Sequence, residues 1–416
     1  MPSEDCEVRT KIVLVVHTFP TSSETFIVNK FSGLLECGGN IHIICNRIQS
    51  AEWKQFPQLE KQAGIRRRVH APWREHPRWL VAALLPFALL QCFLVRPLTT
   101  LQYFLRGAQF LGFQIVRRFY FDKEFILLKP KLIHFEFGAL AAGRIYLREL
   151  LDCKITVSFR GYDLNFVELE KMDYYREVWQ KADGIHCLGE DLWQRAQKRG
   201  CPAQKKHVLI PPAIDTNFFK VCRRLYESEI GTPQRPLKIL SVGRLEWKKG
   251  YEFALQAIRI LKNKELHLEY RIVGEGSYLE AIAFCRHQLD LGQEVTLLGK
   301  KSQEEVKQEM EWADLLVHAA VSEGFCNAVL EAQAMNLPIV VTDADGLKEN
   351  VEDGVTGVVV PRRNPEALAE QLLRLAGDSR LREEMGKKGR LRVLNFFRLE
   401  DQIAAFEKFY REIFHA

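Results

Sequence analysis

Several protein classes leave no signature in these 416 residues. Ten cysteines are scattered along the chain without a Cys-x-x-Cys pair or a Cys/His cluster at zinc spacing. They read as reduced, mostly buried thiols of a cytoplasmic protein, and neither a disulfide framework nor a zinc module is expected. The start, MPSEDCEVRT, is polar and acidic and runs directly into an apolar segment, which is wrong for a signal peptide. No apolar run reaches the ~20 residues that a membrane-crossing helix needs. The longest, RWLVAALLPFALLQCFLVR from Arg78 to Arg96, is broken by Pro86 and Gln91, so an interfacial or core helix is expected. With 47% hydrophobic and 27% charged residues, disorder and a many-span membrane protein are both excluded.

The net charge of +6 is mild but uneven: Lys61 to Lys131 holds 13 Lys/Arg against 3 Asp/Glu. That segment, rather than the whole chain, seeks anions.

The chain is too long for one core, and its pattern repeats. KIVLVVHTF, IHIIC, KLIHFEF, KITVSFRG, GIHCLG and HVLIPP are short apolar runs ending in turns, with helical patterns between the first ones. They read as strands of a parallel sheet buried on both faces. A charged stretch with two prolines follows, and the alternation resumes at LKILSVGRL, HLEYRIVGEG, EVTLLG, ADLLVHAA, PIVVTD and GVTGVVV. The fold expected is α/β, two Rossmann-like doubly wound domains. Their ranges are 1–215, with an apolar and basic helical insert over about 72–125, and 237–394, joined by a linker over 216–236. A helix over 395–416 is expected to return to the first domain.

Ligands of such sheets gather at the carboxyl ends of strands, where the next helix offers free N–H groups. Arg244 and Lys249 stand there after LKILSV and could clamp two phosphates, or be solvated surface cations. Glu323 lies on the loop after ADLLVHAA, and Glu331 eight residues on, in a helix starting near Asn327, a good N-cap residue. Two carboxylates so placed could accept sugar hydroxyls. Alternatively Glu331 only favours the helix start and Glu323 is a solvated loop residue.

The spacing, the Gly-Phe after Glu323 and the preceding Arg/Lys pair together resemble the Glu-x7-Glu signature of the family-four retaining glycosyltransferases, enzymes of GT-B fold whose two domains face across a cleft. The resemblance covers essentially the whole chain and is strongest from Lys238 to Val360. FPTSSETFIVNKF is similar to the start of enzymes that build colanic-acid-like exopolysaccharides. The resemblance implies a hexosyltransferase taking a nucleotide-diphosphate sugar, with a saccharide or lipid-linked acceptor. Glu331 would hold the ribose hydroxyls, Glu323 the transferred sugar, and Arg244 with Lys249 the departing diphosphate. Gly324, Phe325, Cys326 and Asn327 would line the pocket, Cys326 near a position where relatives often carry Pro. Gly274 with Gly276, and Leu298, Gly299 and Lys300, resemble the nucleotide-contacting loops. Asp345 stands where glycine is common.

On the first domain, the acceptor side by that resemblance, Ser23, Glu24 and Thr25 follow the first strand and could meet a sugar or cap the next helix. His134 and Asp163 are placed at the ends of later strands. Arg160 occupies a position where many relatives have a histidine that contacts the donor sugar. An arginine cannot act as a base but can stabilise phosphate or carboxylate charge, and an ion pair with Asp163 or Glu136 is the alternative. Transfer is expected by same-face attack without a cofactor or metal, since no Asp-x-Asp pair stands beside a strand in a way that demands one. The apolar and basic insert suggests an anionic membrane surface at the inner face of the membrane, or a helical hairpin binding an acidic acceptor. No nucleic-acid partner is expected. The rival functions are a catalytically silent nucleotide-sugar binder or scaffold, and an epimerase or phosphorylase on the same plan.

Overall fold

The computed structural model describes residues 10–21, 24–60, 64–71, 77–221 and 224–415. The chain forms two compact units. One comprises the chain up to Cys187, Leu192–Ile210 and the residues from Ile403 on; the other comprises Leu188–Asp191 and Pro211–Gln402.

The first unit holds seven strands: β1 (Lys11–Phe19), β2 (Asn40–Ile48), β3 (Val69–His70), β4 (Leu132–Phe135), β5 (Lys154–Phe159), β6 (Gly184–Cys187) and β7 (His207–Leu209). All neighbours pair in parallel, in the order β3-β2-β1-β4-β5-β6-β7. Six of these were expected; β3 is two residues long, too short to leave an apolar run. Between β3 and β4 three helices replace the usual crossover, Arg78–Val95, Pro97–Leu111 and Gln114–Leu128. The C-terminal helix Leu399–Phe414 contributes Phe406, Phe409, Tyr410 and Ile413 to the core of this unit.

The second unit holds β8 (Leu237–Val242), β9 (Leu268–Val273), β10 (Val295–Gly299), β11 (Leu315–His318), β12 (Ile339–Thr342) and β13 (Val358–Val360). They are again all parallel, in the order β10-β9-β8-β11-β12-β13. Both faces are covered, as the alternation of a strand requires. Ile239 packs into a core with Leu255 and Leu372, while its neighbour Leu240 packs into another with Leu316 and Leu330.

The expected linker over 216–236 is a correction. Its described residues are built into the second unit, where Phe219 and Ile230 are buried and the Arg224 guanidinium donates to the carbonyls of Met335, Ala313 and Met310 at 3.0, 2.5 and 2.6 Å. An arginine that satisfies helix-end carbonyls acts as part of the core, and its charge disguised the segment as a connector.

Candidate active site

In the second sheet the order of strands reverses between β8 and β11. The connections from these two strands leave in opposite directions and open a crevice at their carboxyl ends, the place where doubly wound sheets bind ligands. The loop after β8 carries Arg244 to Gly250 and leads into the helix Tyr251–Asn263. The loop after β11 carries Val321 to Cys326 and leads into the helix Asn327–Ala334. The two loops are laced together: Val321 N–H donates to the Lys248 carbonyl at 2.8 Å. Gly250, at φ 62°, lets the first loop press on the end of the second, since a Cβ there would meet the Ala319 carbonyl oxygen at 2.2 Å.

This lacing brings Lys249 and Glu323 together. The Lys249 ammonium donates to Glu323 Oε2. Burial works against the Glu323 carboxylate, but Lys249 and then His318 hold its pKa down to about 2. Burial likewise opposes the Lys249 ammonium, yet Glu323 keeps its pKa above the ordinary value. His318, at the end of β11, lies with Nε2 3.5 Å from Glu323 Oε2 and Nδ1 3.9 Å from Cys326 Sγ. The sequence reading missed this histidine, because the apolar run ADLLVHAA made it look like one more core position. It also missed Asn350, whose buried side chain accepts from Cys326 N–H at 3.1 Å and donates to the Cys326 carbonyl at 2.9 Å.

Asn327 is a correction: the N-cap is Cys326, and Asn327 is the first helical residue. The Cys326 side chain makes no cap hydrogen bond, and Asn350 instead fixes both backbone groups of Cys326. Arg244 is half-exposed and pairs with Glu246 at 2.9 Å. Glu331 is half-buried, and its carboxylate makes no hydrogen bond or ion pair with a described residue. Burial alone pushes its pKa up to about 7.

Gly274 and Gly276 follow β9 at φ 152° and 157°. A Cβ on Gly274 would sit 1.9 Å from the Gly243 carbonyl oxygen, so the β8 and β9 loops touch through backbone alone. Leu298 lies in the end of β10, half-buried against the core, followed by exposed Gly299 at φ 70°. Gly324 packs its carbonyl where a Cβ on Gly346 would be, and the Phe325 ring lies 5.8 Å from Phe397. Asp345 is left-handed at φ 49° and is held by Ser322 at 2.6 Å and Arg362 at 3.0 Å. Arg362 also binds Asp343 at 3.2 Å. The Asp343-x-Asp345 pair, which follows β12 directly, is thereby engaged by a cation of the chain.

The first sheet reverses between β1 and β4, and there too buried charge collects at the strand ends. Lys30, on the helix Thr25–Glu36, donates to Glu136 Oε1 at 2.7 Å and lies 3.6 Å over the Phe406 ring. Arg160 donates through Nη2 to Glu136 Oε2 at 2.8 Å and stacks 3.9 Å from the Phe26 ring centre. The ion pair with Glu136 expected as one reading of Arg160 is formed. Glu136 is fully buried; that burial opposes its charge, but Lys30, His134 and Arg160 hold its carboxyl well below the usual range. Burial pulls the Lys30 amine down to about 8.

Two acceptor-side expectations are corrected. His134 lies within β4, fully buried between Thr156 Oγ1 at 2.8 Å and Ser158 Oγ at 2.9 Å, where no acceptor reaches it. Asp163 is also fully buried and accepts the backbone N–H of Ala139 at 2.9 Å and of Arg160 at 3.0 Å. It caps a helix, and burial pushes its carboxyl up to about 6 against those donors. Thr25 opens the helix Thr25–Glu36 with Glu24 at its N-cap, while Ser23 lies outside the described residues.

Two parallel α/β units, with a paired lysine and glutamate at the switch point of the second, define the class: this is the architecture of GT-B glycosyltransferases. Residues 223–392 match the family Glycosyl transferases group 1, and the chain is a glycosyltransferase carrying a domain of that family. It is 27% identical over 390 residues, 87% of this chain and 89% of the other, to a putative colanic acid biosynthesis glycosyltransferase of Salmonella typhimurium. It is 28% identical over 379 residues, 88% and 90% of the two chains, to an amylovoran biosynthesis glycosyltransferase of Erwinia amylovora. Among solved structures it is similar to the sucrose-phosphate synthase of Thermosynechococcus elongatus, with a TM-score of 0.73 at 17% identity over 98% of this chain and 100% of that one. It is also similar to Anabaena HepE in complex with UDP and glucose, at 0.71 and 13% over 97% and 100%.

Proposed function

We propose that the chain transfers a hexose from a nucleotide-diphosphate sugar, with retention and without a metal ion, to a saccharide or lipid-linked acceptor in exopolysaccharide or glycolipid synthesis. The observation that carries this reading is the Lys249–Glu323 pair at the reversal of the second sheet. The colanic acid and amylovoran enzymes support the acceptor class, and the complex of HepE with UDP and glucose supports the donor.

In this reading Lys249 and Arg244 neutralise the diphosphate as it leaves, an ammonium as point charge and a guanidinium as fork. Glu323 holds Lys249 in place and accepts hydroxyls of the transferred sugar. Glu331, with no partner among the described residues, accepts the ribose hydroxyls. The leaving oxygen takes the acceptor's proton and the acceptor enters on the face just vacated, so the protein supplies positioning and charge. Arg160, Glu136 and Lys30 form the charged floor of the first unit, where the acceptor is handled.

The test is donor turnover by the purified chain with UDP-, GDP- and ADP-hexoses, with and without EDTA, reading nucleoside diphosphate release and the product's anomeric configuration by NMR. We expect turnover with one donor class, unaffected by EDTA, and an unchanged anomer. Turnover that requires a divalent ion overturns the cation clamp, and an inverted anomer overturns same-face attack.

A further inference from the structure

We propose that His318, Glu323 and Cys326 form a binding site for a thiophilic divalent cation of the zinc type, and that a cation there blocks the donor site by taking Glu323 from Lys249. A ring nitrogen, a carboxylate oxygen and the thiol sulfur of these residues lie within 4.8 Å of one another. Zinc bonds of ~2.0–2.3 Å place neighbouring ligand atoms of a tetrahedron roughly 3.3–3.8 Å apart. His318 faces its two neighbours through different ring nitrogens, Nε2 3.5 Å from Glu323 and Nδ1 3.9 Å from Cys326, so one nitrogen takes the ion and the Glu323 carboxylate turns to complete the set.

Rigidity is distributed as such a site needs. His318 is fixed in β11, and Cys326 is clasped on both backbone groups by Asn350. Glu323 keeps 14% side-chain exposure, so its carboxylate is the side that opens to solvent. His318 is only 4% exposed, and its Nε2 has the Glu323 carboxylate 3.5 Å away but no well-formed hydrogen bond, although buried polar atoms are normally satisfied.

The donor set selects the ion. Thiolate and imidazole favour zinc, cobalt and nickel over magnesium and calcium, which seek oxygen. The Cys326 thiol and the His318 ring, which despite burial its neighbours keep protonated, give their protons to solvent as the metal bonds form. Three protein ligands leave a fourth position for water. The Lys249 ammonium opposes the ion, because both compete for Glu323; the site is therefore exclusive with the ion pair, and occupancy inhibits. The inhibition rests on the proposed donor role of Lys249 and Glu323, whereas the binding does not.

Cobalt(II) titrated into the full chain reads the binding without any activity. We expect one equivalent giving a thiolate-to-cobalt charge-transfer absorption, displaced by zinc and unaffected by excess magnesium. The band should vanish in Cys326→Ser, weaken at least ~10-fold in affinity in His318→Gln, and persist in Cys37→Ser, which removes the exposed thiol. A band that is absent from the wild type, or that survives in Cys326→Ser, overturns the site. Should Cys326→Ser fail to fold, zinc X-ray absorption on the wild type decides: one sulfur with nitrogen and oxygen supports the site, and none or several overturns it. Cobalt bound at Cys326 with donor turnover unchanged overturns the blocking step.

Discussion

The pair at the switch point makes Lys249 the residue whose loss separates chemistry from folding. Lys249→Ala removes a charge from the place where the diphosphate develops its own, and such losses cost ~10²–10³ in turnover. The same change strips Glu323 of its first partner but leaves His318 beside it, so the folding cost should stay at about 1–3 kcal/mol. Turnover and urea unfolding measured on one preparation check this; a variant that keeps a tenth of its turnover contradicts the clamp. Glu331 carries a second prediction. Folded, it titrates at about 7 instead of 4.5, so the folded state holds the extra proton between those values and loses stability as pH rises through that window. Each tenfold gain in proton affinity on folding is worth about 1.4 kcal/mol. Glu331→Gln should therefore be more stable than wild type by about 1–3 kcal/mol at pH 8, equal to it near pH 4, and weaker in donor binding. A stability gain independent of pH would show that the carboxylate is not strained by burial. Lys249 and Glu323 stood out because each sits in a loop after an apolar run, and Glu331 through its eight-residue spacing from Glu323. His318, Asn350 and Lys30 did not, because their roles are set by partners that the sequence does not place beside them, such as Glu136 for Lys30 and Cys326 for Asn350.

At the scale of elements, the loops after β8 and β9 meet without side chains, and glycine is what allows it. Gly274→Ala would drive its Cβ into the Gly243 carbonyl, a clash that no rotamer relieves, and should cost about 2–4 kcal/mol. Gly299 is the control. It is also left-handed, but a Cβ there meets nothing within 4 Å, so Gly299→Ala should cost only about 1 kcal/mol. Equal losses in urea unfolding for the two would refute the close-approach argument. The strands themselves were readable, since LKILSV, LLVH and IVVT are short, mostly apolar and largely buried. What escaped was set by tertiary partners: the two-residue edge strand Val69–His70, the N-cap displaced from Asn327 to Cys326, and the segment after Asp215 that folds into the second unit through Arg224.

For the molecule as a whole, the feature that neither sheet explains is the run of three helices between β3 and β4. Leu98, Leu101 and Leu105 stand exposed along one face of Pro97–Leu111, opposite the buried Thr99, Tyr103 and Gly107. Trp79, Phe87, Leu90 and Leu94 are exposed on Arg78–Val95, and Phe113 at the next helix junction is 98% exposed. No helix among the described residues is long and apolar enough to cross a membrane. Six Lys/Arg against two Asp/Glu lie between Arg78 and Leu128, and if the acceptor is lipid-linked, as proposed, an anionic bilayer surface is the partner such a face would meet. Each Leu or Phe side chain leaving water contributes about 1.5–3 kcal/mol, and each cation near anionic lipid about 1 kcal/mol. The full chain should therefore sediment with phosphatidylglycerol vesicles, much less with phosphatidylcholine vesicles, and less with either as salt shortens the ~8 Å screening length of physiological buffer. Leu98→Glu with Phe113→Glu changes two exposed side chains, so it should leave the unfolding midpoint in place while lowering vesicle affinity at least ~100-fold, the loss of two inserted side chains at about 1.4 kcal/mol per tenfold. Vesicle binding that the double variant retains would assign the cations alone to the surface. Absence of binding at low salt would instead favour a soluble acidic acceptor held by the arginines of the helices.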